Sequence, residues 1–362
     1  MKKSLTILST ASALALVLAA CGSAPEPAGT PTDGGGTTAD SVDYKACLVS
    51  DAGGWDDKSF NQSAYEGMQE AAREYGIQHN EIESTTDADY APNVDNMIAD
   101  GCNLIIGVGY ALATAIGNAA AANSDVDFAL VDSRVVNSAG ELVENENLRP
   151  LVFNTAEASY LAGYAAAATS KTGTVATFGG MQFPSVTIFM DGFVDGVARY
   201  NEDNSANVQV IGWNKDTQNG SFTGGFDRQD DGVALANQQL QQGADIIMPV
   251  AGPVGLGAAS AVQDHGNAWL IGVDSDWTES TEYGDIVLTS VLKGIGLSVK
   301  QAVKDGVDGK FTSEAFVGTL ENDGVGIAPL GSAAPDGLQE KLDELKKEII
   351  DGTTVVETDN QP

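Results

Sequence analysis

Short apolar runs recur along the chain at 45–50, 103–108, 127–132, 173–178, 207–213, 245–250, 269–274 and 286–291. Helical patterns separate most of them, at 63–75, 111–123, 156–170 and 229–242. Apolar strands alternating with helices predict parallel sheets covered on both faces, and the number of strands implies two such sheets. An internal repeat supports that count. Residues 103–133 and 245–275 align without a gap, each reading as strand, turn, Ala-rich helix and strand, and each ending in Val-Asp-Ser. A chance match of Ala-rich segments is the competing explanation. The expected fold is therefore α/β, two doubly wound parallel sheets in two lobes with a ligand cleft between them. Ligands of open parallel sheets bind beyond the carboxyl ends of the strands, so Asp132 and Asp274 are expected to face each other across that cleft.

The N-terminus predicts the compartment. Lys2 and Lys3 precede an apolar run from Leu5 to Ala20 that ends Leu18-Ala19-Ala20-Cys21. This is the layout of a signal peptide over 1–20, and the run falls short of the ~20 residues of a membrane span. Its ending resembles a bacterial lipobox, which implies a lipid on Cys21, attachment to the cell membrane and an extracytoplasmic location. Residues 21–42, rich in Pro, Gly and Thr, read as a flexible linker. The net charge of −33 argues against nucleic acid and against anionic lipid headgroups as partners. Two histidines and three cysteines leave no His/Cys zinc site. No metal and no cofactor are expected. Cys47 and Cys102 could pair as a disulfide outside the cytoplasm or remain two buried thiols.

The first strand ends at Asp51 and runs through Gly53 and Gly54 to Asp57, Ser59, Phe60 and Asn61, with a helix from Ser63. Ser59 or Asn61 suits the helix cap. A cap does not explain Phe60, a large apolar residue in a polar loop.

The stretch DAGGWDDKSFNQSAYEG from Asp51 to Gly67 resembles the opening signature of the basic membrane protein family of lipid-anchored substrate-binding proteins. The resemblance continues through Ser159–Ala166, Gly179–Gln182, Gly272–Asp276 and Leu288–Lys293. It implies a periplasmic-binding-protein-like type I fold, a purine nucleoside ligand and the permease subunits of an ABC importer as partners. Position by position it implies that Phe60 and Phe222 sandwich the base, with Phe226 a rival for the second ring. It implies Asp132 on the hydrogen-bonding edge of the base, Asp274 and Lys293 on the ribose hydroxyls, and Gly252 allowing close backbone approach. Asp51 and Asn61 supply further polar contacts, and Asp57 either touches the ligand or braces its loop. Tyr110, Trp55 and Met181 line the pocket or merely pack locally.

The expected lobes are 43–154 plus about 276–330, and 155–275, with the crossings near 152–155 and 275–290. The C-terminal helix in 331–362 is left unassigned. No reaction is expected. An ionised Asp132 only accepts hydrogen bonds, which favours guanosine and inosine over adenosine. Two alternatives stay open: the same fold holding a sugar or signalling molecule, and a secreted nucleoside hydrolase using Asp51, Asp56 and Asp57 around a hard cation.

Overall fold

The computed structural model describes residues 42–135 and 142–362. Cys21, the signal segment and nearly all of the linker lie outside the described residues. The chain runs β1 (Lys45–Ser50), α1 (Phe60–Tyr75), β2 (Gln78–Ile82), α2 (Asp87–Ala99), β3 (Leu104–Val108), α3 (Ala113–Ala122), β4 (Asp127–Val131) and β5 (Leu148–Phe153). It continues through α4 (Thr155–Thr169), β6 (Thr174–Gly179), α5 (Pro184–Asn204), β7 (Gln209–Ile211), a small ribbon of β8 (Trp213–Asn214) and β9 (Asn219–Gly220), and α6 (Gln229–Gln241). Then come β10 (Ile246–Val250), α7 (Val254–His265), β11 (Trp269–Asp274), α8 (Trp277–Ser280), β12 (Val287–Lys293), α9 (Ile295–Val307), β13 (Phe316–Gly318), β14 (Val325–Ile327) and α10 (Leu338–Ile350). Among the described residues no helix is long and apolar enough to cross a membrane.

Two six-stranded sheets form, ordered β13-β5-β4-β3-β1-β2 and β14-β12-β11-β10-β6-β7. All pairs within them are parallel except β14 against β12. Strand for strand the two sheets share one winding, and the repeated segments are β3-α3-β4 and β10-α7-β11. Every residue of β3 and β10 is buried, as helices on both faces require.

The lobe boundaries need correction. Residues 276–330 do not belong to the first lobe as a block. β12 pairs in parallel with β11, Gly272 opposite Ser290, so the chain adds β12 to the second sheet before crossing back, and β14 returns to that sheet afterwards. Only α9, which packs on α1, and β13 return to the first lobe. The connections run through Asn154, through Gly294 and through 319–324, so the second expected crossing shifts from 275–290 to Gly294 and a third appears. They are tied together: the Asn154 N–H donates to Gly318 O and the Gly294 N–H to Gly324 O, both at 2.8 Å. α10 rests on α4, which packs against β12 and β14 of the second sheet.

α4 is buried almost all round, as a helix of small and apolar residues should be. Its neighbour α5 comes so close that a Cβ on Gly192 would sit 2.2 Å from Ala156 O, and one on Gly196 1.9 Å from Tyr160 O. This contact sets the two helices side by side, with Ala156 at the start of α4 against Gly192, two turns into α5.

Cys47 and Cys102 are disulfide-bonded, their Cα atoms 6.0 Å apart and 55 residues separated in sequence. Closing a loop of that length is worth about 4 kcal/mol on the chain-entropy model. Reduction is expected to lower the melting temperature by several degrees, read by calorimetry with and without dithiothreitol. An unchanged melting point under full reduction would show that the bond does not constrain the unfolded chain.

Candidate functional site

α1 starts at Phe60, three residues before the expected start, because Asp57 caps it from outside. The Asp57 carboxylate accepts the backbone N–H groups of Ser59, Asn61 and Gln62 at 2.9, 2.8 and 3.0 Å. These are first-turn donors with no partner inside the helix. Asp57 is thus a brace; Ser59 holds the N-cap position without a side-chain capping bond, and Asn61 lies inside the helix. The turn holds Phe60 and Asn61 rigidly at the cleft. Ser59 instead crosses to the second lobe, where its Oγ lies 2.9 Å from Val273 O and 3.1 Å from an Asp274 oxygen. Ser275 Oγ donates back to Lys58 O at 3.0 Å. The lobes are in direct contact.

Asp132 follows β4 and Asp274 ends β11, and both adopt left-handed backbone, with φ of 67° and 69°. Non-glycine residues rarely do so, and each instance costs about 1–3 kcal/mol. The same conformation at both copies of the repeat shows that the repeat is structural. Lys293, the last residue of β12, bridges the two carboxylates. It donates to Asp132, and its Nζ is 3.8 Å from Asp274 Oδ1. The rings of Phe189, Phe60 and Phe153 surround that Nζ at 5.1, 5.2 and 5.6 Å, an attractive placement for a cation. Only 3% of the Lys293 side chain is exposed. Asp51 accepts from Asn61 Nδ2 at 3.0 Å. It fits only because residue 109 is glycine, since a Cβ there would stand 2.1 Å from an Asp51 oxygen.

These carboxylates are starved of solvent. Burial pushes Asp51 up to about 8; the hydrogen bond from Asn61 opposes this, and the charges of Asp57 and Asp132 add to it. Burial pushes Asp132 up to about 6 against the pull of Lys293. Asp274 is also raised by burial, with Lys293 and Ser59 opposing, and Asp57 is raised by burial against its three N–H donors. Asp274 Oδ1 and Asn61 Oδ1 are buried without a hydrogen-bond partner among the described residues. Such groups call for a ligand that can donate to them.

One cavity gathers Asp51, Asp57, Phe60, Asn61, Asp132, Gly252, Asp274 and Lys293. Phe222 is not among its walls. An isolated bridge pairs Gly179 with Phe222, and the Phe222 ring lies edge-on to Trp213, centroids 6.0 Å apart. Phe226 lines the cavity instead, with Phe183, Phe189 and Tyr110. Tyr110 of the first lobe stacks on Phe183 of the second at 4.7 Å, and Phe226 follows at 6.1 Å. Sequence reasoning missed Phe183 and Phe189. The signal for Phe183 was its place just before Pro184, at the strand-to-helix turn after Gly179-Gly180. Trp55 stacks on Tyr65 and Met181 is exposed, and neither lines the cavity. The aspartate trio of the hydrolase reading does not converge, because Asp57 is spent on backbone N–H groups and Asp56 is exposed and paired with Lys58.

Comparison with known proteins bears on the fold and the family. The family model described as ABC transporter substrate-binding protein, PnrA-like, matches residues 45–359. The ABC transporter nucleoside-binding protein BmpA of Lactococcus lactis is 30% identical, over 98% of this chain and 99% of that protein. Basic membrane protein A of Borreliella afzelii is 29% identical over 86% and 91%. The crystal structure of an ABC transporter solute-binding protein from Aeropyrum pernix has the same fold, with a TM-score of 0.76 and 24% identity over 87% of this chain and 94% of that one. The two-lobed α/β architecture and the match along nearly the whole described chain lead to one conclusion: this protein belongs to the Bmp family of PnrA-like ABC transporter substrate-binding proteins.

Proposed function

We propose that the protein is an extracytoplasmic lipoprotein, anchored through Cys21, that captures a purine nucleoside between its lobes and delivers it to the permease of an ABC importer. The observation that carries this reading is the joint offer of aromatic faces from both lobes and a buried carboxylate–lysine set at the strand ends. A flat heterocycle stacks on rings, and a pentose hydroxyl donates to carboxylates and accepts from an ammonium. In this reading Phe60 and Phe226 hold the base, with Tyr110 and Phe183 at its border. Asp132 meets the base edge, Asp274 and Lys293 hold the ribose, Asp51 and Asn61 add polar contacts, and Gly252 lets the backbone approach. The name of the Lactococcus lactis relative supports the nucleoside class.

The cavity measures about 60 Å³, room for a few waters and too little for a nucleoside. Entry therefore requires the Tyr110–Phe183 stack to part and the lobes to swing on their three connections. No chemistry is performed: the binding groups close around the ligand and release it unchanged.

Calorimetry with inosine, guanosine and adenosine tests the assignment. Inosine and guanosine are expected to bind about tenfold or more tighter than adenosine, whose N1 offers an acceptor to the acceptor Asp132. Phe226→Ala is expected to weaken inosine binding about 5- to 100-fold, as losing a stacking face does, while Phe222→Ala stays within threefold. Equal affinities for the three nucleosides would remove Asp132 from the base edge. Free hypoxanthine released from inosine in the presence of calcium would instead make the protein a hydrolase.

A further inference from the structure

Beside the cavity the lobes meet at a small polar junction, and one side chain there is spent on a residue of the cavity wall. Ser59 precedes α1 in the first lobe and is buried. Its Oγ reaches Val273 O at 2.9 Å and Asp274 Oδ2 at 3.1 Å in the second lobe, although Ser59 itself does not line the cavity. The single hydroxyl proton is shared between two acceptors, as three-centre bonds allow. The Ser59 side chain makes no capping bond to its own helix, because the Asp57 carboxylate already takes the first-turn N–H groups. The hydroxyl is left to serve the other lobe.

The backbone is left-handed on both sides of this contact, with φ of 62° at Lys58 and 69° at Asp274. Side-chain-bearing residues keep such a conformation only where their surroundings over-determine it. The two oxygens of Asp274 have different fates. Oδ2 accepts from Ser59, whereas Oδ1 lies 3.8 Å from Lys293 Nζ and is buried without a hydrogen-bond partner among the described residues. Asp274 lines the cavity. The terminal torsion of an aspartate is soft, so the direction of Oδ1 depends on what holds Oδ2.

We propose that Ser59 is a positioning residue for the ribose: on closure of the lobes it crosses to Asp274, pins Oδ2 and leaves Oδ1 for a sugar hydroxyl. The inference rests on the nucleoside reading above and deepens it. The ribose site is then complete only in the closed protein, because the residue that orients Asp274 belongs to the opposite lobe. Ser275 supplies an internal comparison. Its Oγ donates to Lys58 O at 3.0 Å across the same junction and otherwise meets Ser280 Oγ at 3.1 Å, so it joins the lobes without orienting the Asp274 carboxylate.

The test compares inosine with 2′,3′-dideoxyinosine by calorimetry on the wild type, Ser59→Ala, Ser59→Thr and Ser275→Ala. It also follows the Asp274 carboxyl resonance by NMR against pH in the ligand-free proteins. The wild type and Ser275→Ala are expected to hold inosine at least about tenfold tighter than the dideoxy analogue, in the range that a hydrogen bond to a charged group supplies. Ser59→Ala should compress that ratio to within about threefold, and Ser59→Thr, which returns the hydroxyl, should restore it. Loss of the donor should raise the Asp274 midpoint in Ser59→Ala alone, since Lys293, Asp132 and Asp57, the charges that face Asp274, are common to all the proteins. A ratio that Ser59→Ala and Ser275→Ala lower alike would mean that the junction only holds the lobes shut, and overturns the proposal. So does a wild-type ratio near one, or an Asp274 midpoint that Ser59→Ala leaves in place. Failure of inosine to bind any of the proteins counts against the nucleoside reading, and the Asp274 titration then still decides whether Ser59 holds the carboxylate.

Discussion

Lys293→Met is expected to destabilise the ligand-free protein by about 3–5 kcal/mol at pH 8 and to lower nucleoside affinity at least 100-fold. Lys293 is the cation between Asp132 and Asp274, and it is almost wholly buried. Removing one partner of a buried ion pair leaves the other charge without water and without compensation, and the cost is of that order. Methionine fills similar space and suits the three surrounding rings, so a packing defect is not what the variant reports. The signature of the charge effect is recovery. At pH 5 Asp132, raised by burial to about 6, takes up a proton and the penalty shrinks. Adding Asp132→Asn to Lys293→Met should restore part of the stability at pH 8 for the same reason, with no return of binding. Melting curves of the two variants at pH 5 and 8 decide the matter. A Lys293→Met protein as stable as the wild type at pH 8 would mean that the carboxylates reach solvent and that this centre is not sealed.

The strand-end aspartates were legible because the chain carries two copies of the unit that presents them. Agreement of Val-Asp-Ser at both ends, followed by the same left-handed backbone at Asp132 and Asp274, is a pattern that a single lobe could not have displayed. Lys293 was legible for a different reason. Cations are scarce in this chain, and one placed at the end of an apolar strand has few roles to play. What stayed hidden has local causes. β2 (QHNEI) is a half-exposed edge strand without apolar periodicity, and β13 and β14 are three residues long. α2 holds Pro92 in its interior, which reads as a break in sequence. β12 was legible as a strand, but only its partner in space decides its lobe, and no local pattern encodes that pairing.

The exchange of Phe222 for Phe226 shows the same limit in the site. The two rings lie four residues apart in a loop with Gly224 and Gly225 between them. Neither helical nor strand periodicity says which one turns inward. The bridge from Gly179 to Phe222 decides it, because it seats Phe222 beside Trp213 and leaves Phe226 to reach Gly180 and the cavity. Asp57 had two readings, ligand contact or brace, and its three backbone N–H partners fill it as a brace.

The stability of the ligand-free protein is expected to fall as pH rises from 5 to 9, and Asp51→Asn is expected to remove the upper part of that fall. Asp51 is raised to about 8 and Asp132 to about 6, whereas both titrate near 3.9 in an unfolded chain. Between the unfolded and folded values the native state holds more protons than the unfolded one, so stability decreases with pH. The contribution is fully present below about pH 4. It is lost first through pH 6, as Asp132 ionises, and then through pH 8, as Asp51 does. Asparagine at 51 keeps the oxygen that accepts from Asn61 and cannot ionise. Asp51→Asn should therefore exceed the wild type in stability by about 1–3 kcal/mol at pH 8.5 and match it near pH 4. A saturating nucleoside that donates hydrogen bonds to these carboxylates should flatten the wild-type profile in the same window, because it replaces the proton as their partner. Melting temperatures at unit steps of pH, with and without inosine, read both effects. An Asp51→Asn profile parallel to the wild type through pH 8 would place the titrating group elsewhere and reopen the role of Asp51 in the cavity.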